Sequence, residues 1–396
     1  MKDLTKLTDR IFYVGVNDRT KHLFEGLWPL PLGVSYNAYL VCGERTALVD
    51  TVDACFTGRL LANVRERLGD RPLDYLVINH MEPDHSASIA AVRQAYPAVR
   101  IVGNAKTLQM IEGYYGIACG TVEVREGDVL DLGGLTLAFC MIPMVHWPET
   151  MATWCAEEHT IFSGDAFGTF GALNGGVTDE QLDVEPFWEE MRRYYACIVG
   201  KYGQPVQRAL AKVAPLDIAM ICSTHGPVWR REIARVVELY DKVSRYEGEP
   251  GAVIAYGSMY GNTEQMAETV ARGLAAAGVR PIVVYNLSTA DVSQVLRDIF
   301  RYDTLVVGSP TYNGQLYPPV DALLRKIAER CIPHRRFACF GSFTWAGAAV
   351  RRMTEFAEGM KWPVVGAPVE LKQGYSTAVE PACRMLVDAL VEDMKR

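Results

Sequence analysis

Residues 75–88 read YLVINHMEPDHSAS, an apolar run that ends in His80, Glu82, Asp84 and His85. Four ionisable side chains within six residues, directly behind a strand-like segment, constrain the fold more than any other stretch. Buried without a counter-charge they would be very costly, so the segment is either a solvated loop or one wall of a metal site. In extended backbone alternate residues share a side, so His80, Glu82 and Asp84 are expected to converge while His85 points elsewhere. Pro83 is expected to resist helix formation and to hold Glu82 extended. Ser86 is a candidate cap for a helix over Ser86–Tyr96.

Three more candidate ligands stand where apolar runs end, the places where functional groups collect. They are His146 in MIPMVHWPE, Asp165 in TIFSGDAFG and His225 in AMICSTHGP. His22, His159 and His334 lack such a setting and read as surface or structural residues. The four histidines and three carboxylates are enough for two metals. One would take His80, Glu82 and His146, and the other Asp84, His85 and His225, with Asp165 bridging. Nitrogen and oxygen donors without thiolate disfavour a structural zinc site.

The chain has 396 residues, room for two or three domains. Its net charge of −7 argues against a nucleic-acid surface. No apolar run reaches the ~18 residues of a membrane span, and the charged N-terminus has no signal core, so a cytoplasmic protein is expected. The ten cysteines include no C-x-x-C pair, which excludes a rubredoxin-like knuckle and a thioredoxin motif. Electrons, if the chain uses them, are expected from another molecule.

The polar Gly/Pro segment Glu247–Gly251 marks a division, giving expected domains 1–249 and 250–396. The first has meandering strand candidates, among them Ile11–Val16, Asn37–Cys42, Thr46–Val49 and Leu135–Met141, and helical patterns such as Gly58–Leu68 and Pro186–Lys201. That mixture predicts a layered α+β domain. In the second, strands at Ala252–Tyr256, Pro281–Tyr285, Thr304–Gly308, Arg336–Phe340 and Val364–Glu370 alternate with five helices. Continuous apolar strands in that alternation predict a parallel sheet covered on both faces.

The loop Ser258-Met259-Tyr260-Gly261-Asn262-Thr263 joins the first of these strands to a helix, where hydroxyls and backbone N–H groups make an anion site. It has neither the lysine of a Walker A loop nor a G-x-G-x-x-G pattern, and so fits a monophosphate. Pro310-Thr311-Tyr312-Asn313-Gly314 follows the third strand. Ser342-Phe343-Thr344-Trp345 and Gly347 follow the fourth. Their aromatic side chains can flank a flat ring system.

The pattern H-x-x-x-D-H, followed by spaced His, Asp and His, resembles the metallo-β-lactamase superfamily. Its hydrolases normally have His where this chain has Glu82. A carboxylate there resembles the flavodiiron proteins, and His80, Glu82, Asp84, His85, His146, Asp165 and His225 match every position of their pattern. Residues 251–396 resemble flavodoxin, with a sheet of order 2-1-3-4-5 and FMN at its switch point. The resemblance implies a metallo-β-lactamase-like αββα sandwich followed by an α/β flavodoxin-like, doubly wound parallel sheet of five strands.

It further implies an oxidoreductase in which FMN relays electrons to two non-haem irons bridged by Asp165, reducing dioxygen to water or nitric oxide to nitrous oxide. The matching His85 swings away in some relatives, and Trp147 and Tyr195 are candidates for aromatics over the irons. A head-to-tail homodimer or a homotetramer is expected, with rubredoxin or a reduced deazaflavin as donor and no nucleic-acid or membrane partner. The competing readings are a zinc hydrolase fused to a flavodoxin-like domain, disfavoured by Glu82, and a flavin electron carrier with an idle N-terminal domain.

Overall fold

A computed structural model describes residues 3–395 and divides into two compact units, Met1–Ser244 and Arg245–Arg396. The first unit contains two large sheets. Six strands run in the order Ile11–Tyr13, Tyr39–Cys42, Thr46–Val49, Tyr75–Val77, Arg100–Gly103 and Thr121–Glu123. Five more follow the order Val129–Asp131, Thr136–Met141, Met151–Cys155, Thr160–Gly164 and Met220–Ser223. The helices between them bury one stripe each: Thr57–Leu68 turns Leu60, Val64 and Leu68 inward, the four-residue spacing of one helix face.

This arrangement carries the functional segments to strand ends. His80 and Asp165 follow Tyr75–Val77 and Thr160–Gly164, and the latter runs parallel to Met220–Ser223, so Asp165 and His225 emerge at the same end. His146 lies in the connection between Thr136–Met141 and Met151–Cys155.

Several local expectations are corrected. Pro83 starts a helical turn, Pro83–Ser86, instead of opposing one. At the first helical position its missing N–H costs nothing and its fixed φ suits the helix. Ser86 does not cap the next helix, Ile89–Ala95; its hydroxyl donates to the Met81 carbonyl at 2.8 Å. The run Ile11–Val16 splits, because Val16–Asp18 pairs with Val34–Tyr36 while Ile11–Tyr13 pairs with Tyr39–Cys42. The helix expected over Pro186–Lys201 runs as Glu185–Tyr194 and then widens to a π-helical turn, Tyr195–Val199, ended by Gly200.

In the second unit all five main strands are parallel, in the order Ile282–Asn286, Glu249–Tyr256, Tyr302–Tyr312, Arg336–Phe343 and Val369–Lys372. By chain order this is 2-1-3-4-5. The last strand starts later than Val364 because Gly366, at φ +72°, and Pro368 interrupt the apolar run. Residues ahead of the first strand already pack with this unit. Arg335 Nη1 donates to the Tyr246 carbonyl at 3.0 Å, and the Tyr246 ring lies 6.0 Å from that of Phe300.

Gly257 is buried between the first strand and the loop that follows it. A Cβ there would run into the Tyr317 ring and press on Val320. Gly257→Ala is expected to destabilise the second unit by about 1–3 kcal/mol, the usual range for overpacking, read from its denaturant midpoint.

Candidate metal centre and phosphate cradle

All seven expected ligands are buried, and they meet at one place in the first unit. His80, Glu82, His146 and Asp165 offer donor atoms within 4.8 Å of one another, and Asp84, His85 and His225 form a second such group. The helical turn at Pro83 makes this division. It sends Asp84 and His85 together to the second group, the set expected for the second metal, although the extended reading of the backbone had put Asp84 beside His80 and Glu82 and turned His85 away.

Asp165 faces both groups. Its Oδ2 is 3.2 Å from His146 Nε2 and 3.5 Å from His80 Nε2. Its Oδ1 is 3.1 Å from His85 Nε2 and 3.9 Å from His225 Nε2, and it accepts a hydrogen bond from Thr224 Oγ1 at 2.5 Å.

Groups outside the cluster orient the imidazoles. His225 Nδ1 lies 2.7 Å from the Ser35 carbonyl, which can only accept, so this nitrogen carries the hydrogen and Nε2 turns a lone pair inward. His80 Nδ1 lies 2.9 Å from Glu149 Oε1. Asn37 fixes the loop that bears His225: its Nδ2 donates to the Ser223 and Gly226 carbonyls, each at 2.9 Å. Its main-chain N–H donates to Thr224 at 2.7 Å, and its Oδ1 accepts from Tyr13 at 3.1 Å. Asn37 therefore stands outside the strand ladder, which resumes at Tyr39.

Aromatic rings enclose the cluster. Trp147 lies edge-on to His80 at 5.3 Å. Tyr195 does not fill the role expected of it, since its ring packs at 5.3 Å against Tyr240. The preceding Tyr194 instead lies 5.5 Å from His225. Phe24, on the hairpin Leu23–Phe24 with Trp28–Pro29, also sits 5.5 Å from His225. His22, His159 and His334 are exposed and lie outside the cluster.

The electrostatics call for positive charge. Burial alone would push the His85 imidazole down, but Asp84 and Asp165 outweigh it and hold it up at about 9. His146 is likewise pushed up to about 9, its burial outweighed by Asp165 and Glu82. Glu82 and Asp165 are held well below the usual carboxylate range because the facing histidines outweigh their burial. His80 Nε2 and both oxygens of Asp84 are buried with no hydrogen-bond partner. Inward-facing lone pairs and carboxylates, some of them orphaned, are what two cations would satisfy.

In the second unit, Ser258, Met259, Tyr260, Asn262, Thr263, Pro310, Thr311, Ser342, Phe343 and Thr344 line one cavity, together with Gln373, which the sequence had not suggested. Gly261, at φ +89°, leads into helix Asn262–Ala276, whose N-terminus has no side-chain cap. Its first N–H groups thus face the cavity loop ready for an anion. The Thr311 hydroxyl accepts from Ala348 N and Ala349 N at 3.0 and 3.1 Å, so it also holds a helix start. Tyr312, Asn313, Gly314, Trp345 and Gly347 are outside the cavity lining. Asn313 and Gly314, both at positive φ, form a tight hairpin turn between Tyr312 and Gln315. Trp345 and Tyr260 are 87% and 90% exposed, leaving their ring faces free to flank a ligand.

A family model described as ODP family beta lactamase matches residues 34–226, and a flavodoxin model matches residues 254–384. The chain is 31% identical over 372 residues to a nitric oxide reductase of Moorella thermoacetica, covering 93% of each chain. This chain belongs to the flavodiiron protein family. It is also 32% identical over 352 residues to the anaerobic nitric oxide reductase flavorubredoxin of Escherichia coli, covering 87% of this chain and 73% of that one. The structure of rubredoxin oxygen:oxidoreductase from Desulfovibrio gigas superposes with a TM-score of 0.94 at 29% identity, over 99% of this chain and 98% of the other.

As a flavodiiron protein the chain is an oxidoreductase, built as an αββα sandwich followed by a flavodoxin-like sheet, with FMN and two non-haem irons as cofactors. Both sites fit these groups: the first converges oxygen and nitrogen donors in two sets, and the second offers an uncapped helix start beside exposed aromatics. Among the described residues no helix is long and apolar enough to cross a membrane.

Two measurements follow from this geometry. Asn37→Ala orphans the Tyr13 hydroxyl and the Gly226 carbonyl, while the Ser223 carbonyl keeps Tyr39 Oη at 2.6 Å, so it is expected to cost about 1–3 kcal/mol and to weaken metal binding about 10–100-fold, read by denaturation and metal titration. In metal-stripped protein, His85 and His146 contribute stability that is full below their unfolded value of about 6.5 and lost as pH rises through about 9. Glu82 and Asp165 contribute stability present above about pH 4.5 and lost in acid. Denaturation of chelator-treated protein should therefore show greatest stability between about pH 4.5 and 6.5, and reloading with metal should remove the alkaline decline.

Proposed function

We propose that this flavodiiron protein reduces nitric oxide to nitrous oxide, dioxygen to water, or both. The observation that carries the reading is the split of Asp165 between two buried donor groups. His80, Glu82 and His146 would hold one iron and Asp84, His85 and His225 the other, with Asp165 facing both donor groups. Bound there, two redox metals would supply polarisation of the substrate atoms and stored electrons for their reduction. Two nitric oxide molecules take two electrons and two protons to give nitrous oxide and water; dioxygen takes four of each to give two waters.

The chain's own residues set the conditions for this chemistry. Phe24, Trp147 and Tyr194 wall the site and limit water. Ser35, Asn37, Glu149 and Thr224 keep the donors aimed inward. In 250–396, Ser258–Thr263 hold the phosphate, while Met259, Tyr260, Tyr312 and Trp345 flank the isoalloxazine ring. Asn313, Gly314 and Gly347 shape the loops around it, and Pro310, Thr311, Ser342, Phe343 and Thr344 line it. The metal domain is the first compact unit, Met1–Ser244.

Electrons come from an external carrier, a rubredoxin or a reduced deazaflavin, in the cytoplasm. The working form is a head-to-tail homodimer or a homotetramer, with the flavin of one chain serving the irons of the next. The names of the Moorella thermoacetica, Escherichia coli and Desulfovibrio gigas relatives support both gases as substrates.

The test is anaerobic turnover with each gas, using chemically reduced rubredoxin and protein assayed for iron and FMN. Consumption of either gas by protein with two irons and one FMN per chain is expected. Protein that carries zinc and hydrolyses a lactam or ester, or iron- and FMN-replete protein that consumes neither gas, would overturn the proposal.

A further inference from the structure

Of the four histidines in the cluster, only His80 meets a carboxylate from outside it. His146, His85 and His225 make their carboxylate contacts with Glu82, Asp84 and Asp165, all cluster members. His80 Nδ1, on the ring edge away from the centre, is 2.9 Å from Glu149 Oε1. The same oxygen accepts from Met81 N at 2.9 Å. Glu149 is 1% exposed, its Oε2 has no hydrogen-bond partner, and among the described residues His80 is its one ion-pair partner. By contrast, His225 turns Nδ1 to the neutral Ser35 carbonyl at 2.7 Å, and His85 Nδ1 has no partner.

A carboxylate so buried and so poorly compensated is a heavy cost for packing alone. Behind a ligand imidazole it strengthens the nitrogen donor on the opposite edge. It also places a full negative charge behind one metal position, at a side chain buried enough that its charge is only partly screened. At the other position no carboxylate from outside the cluster forms an ion pair with an imidazole; buried Asp50 acts on both His85 and His80 from a greater distance and is bonded by Asn79 N and Nδ2 at 2.7 and 3.2 Å. Lys21, which reaches Tyr36 Oη at 3.0 Å on the His225 side, is itself paired with Asp53 at 2.8 Å and adds little net field.

We infer that Glu149 makes the two iron positions unequal in potential. The iron on His80, Glu82 and His146 holds its ferric charge more strongly. The iron on Asp84, His85 and His225 takes the first electron, going from ferric to ferrous at the higher midpoint. The inference rests on the diiron reading above, and it assigns Glu149 as a tuning residue that acts through His80 without touching substrate.

The experiment is a mediated redox titration of the iron-loaded holoprotein, followed by Mössbauer spectroscopy, on the parent, Glu149→Gln and Glu149→Asp. In Glu149→Gln the amide oxygen can still accept both N–H donors, so the hydrogen bonds persist and the charge is lost. The lower midpoint is expected to rise by at least a tenfold change in its equilibrium, which is 59 mV for one electron. The upper midpoint should move less than that, and Glu149→Asp should restore the parent separation. A lower midpoint that stays in place, or two midpoints that rise equally, overturns the inference.

A glutamine variant that retains one iron still decides the matter. Its midpoint must match the parent's upper step, and a match to the lower step is fatal. Metal analysis of the parent comes first, so zinc or fewer than two irons per chain registers as failure of the diiron reading itself and takes this inference with it.

Discussion

The Nε2 atoms of His85 and His225 face each other across 3.0 Å, with Asp84 Oδ2 at 3.4 and 3.3 Å from them. Such a set of lone pairs and negative oxygens is stable inside a protein only around positive charge. With protons alone, the His85 and His146 imidazoles are driven above their ordinary basicity and the Glu82 and Asp165 carboxyls below their ordinary pKa. With two cations the same groups are satisfied at once. The fold is organised to hold this costly arrangement: two sheets deliver strand ends to one place, and acceptors behind His80 and His225 fix which nitrogen faces inward.

The support is unevenly built. The His225 loop is clamped by Asn37 and Ser35, residues almost two hundred positions earlier in the chain. Glu149, only a few residues from His146, backs His80 instead. Asp165 is steadied by Thr224, the neighbour of His225. These three ligands are therefore positioned by the segment carrying another ligand or by a distant strand, so the site assembles only when the whole unit folds. In the second unit the phosphate cradle depends more on local backbone, a positive-φ glycine ahead of an uncapped helix.

Much of this was legible in the residues. HMEPDH at a strand end, followed by His146, Asp165 and His225 in like settings, pointed to seven donors in two groups, and the structure brings all seven together. The parallel sheet followed from its alternation of apolar strands and helices. What the residues hid was of two kinds. The helical turn begun by Pro83 hung on one residue that opposes helices inside and favours them at their start, so the extended reading turned His85 away, although the ligand grouping of Asp84 and His85 with His225 agrees with the structure. Asn37, Ser35 and Glu149 carry no local signal, because their task is defined by partners far away in sequence. Tyr194 was missed in favour of Tyr195 because the π-helical turn shifts which residue faces the cluster.

The central claim is that the two buried donor groups hold two irons joined by Asp165. Anomalous X-ray scattering at the iron edge, from crystals of the protein as isolated, tests it most directly. The account predicts two iron peaks, one among His80, Glu82 and His146 and one among Asp84, His85 and His225, with Asp165 reaching both. A single peak, or a pair that scatters at the zinc edge and not at the iron edge, would contradict it.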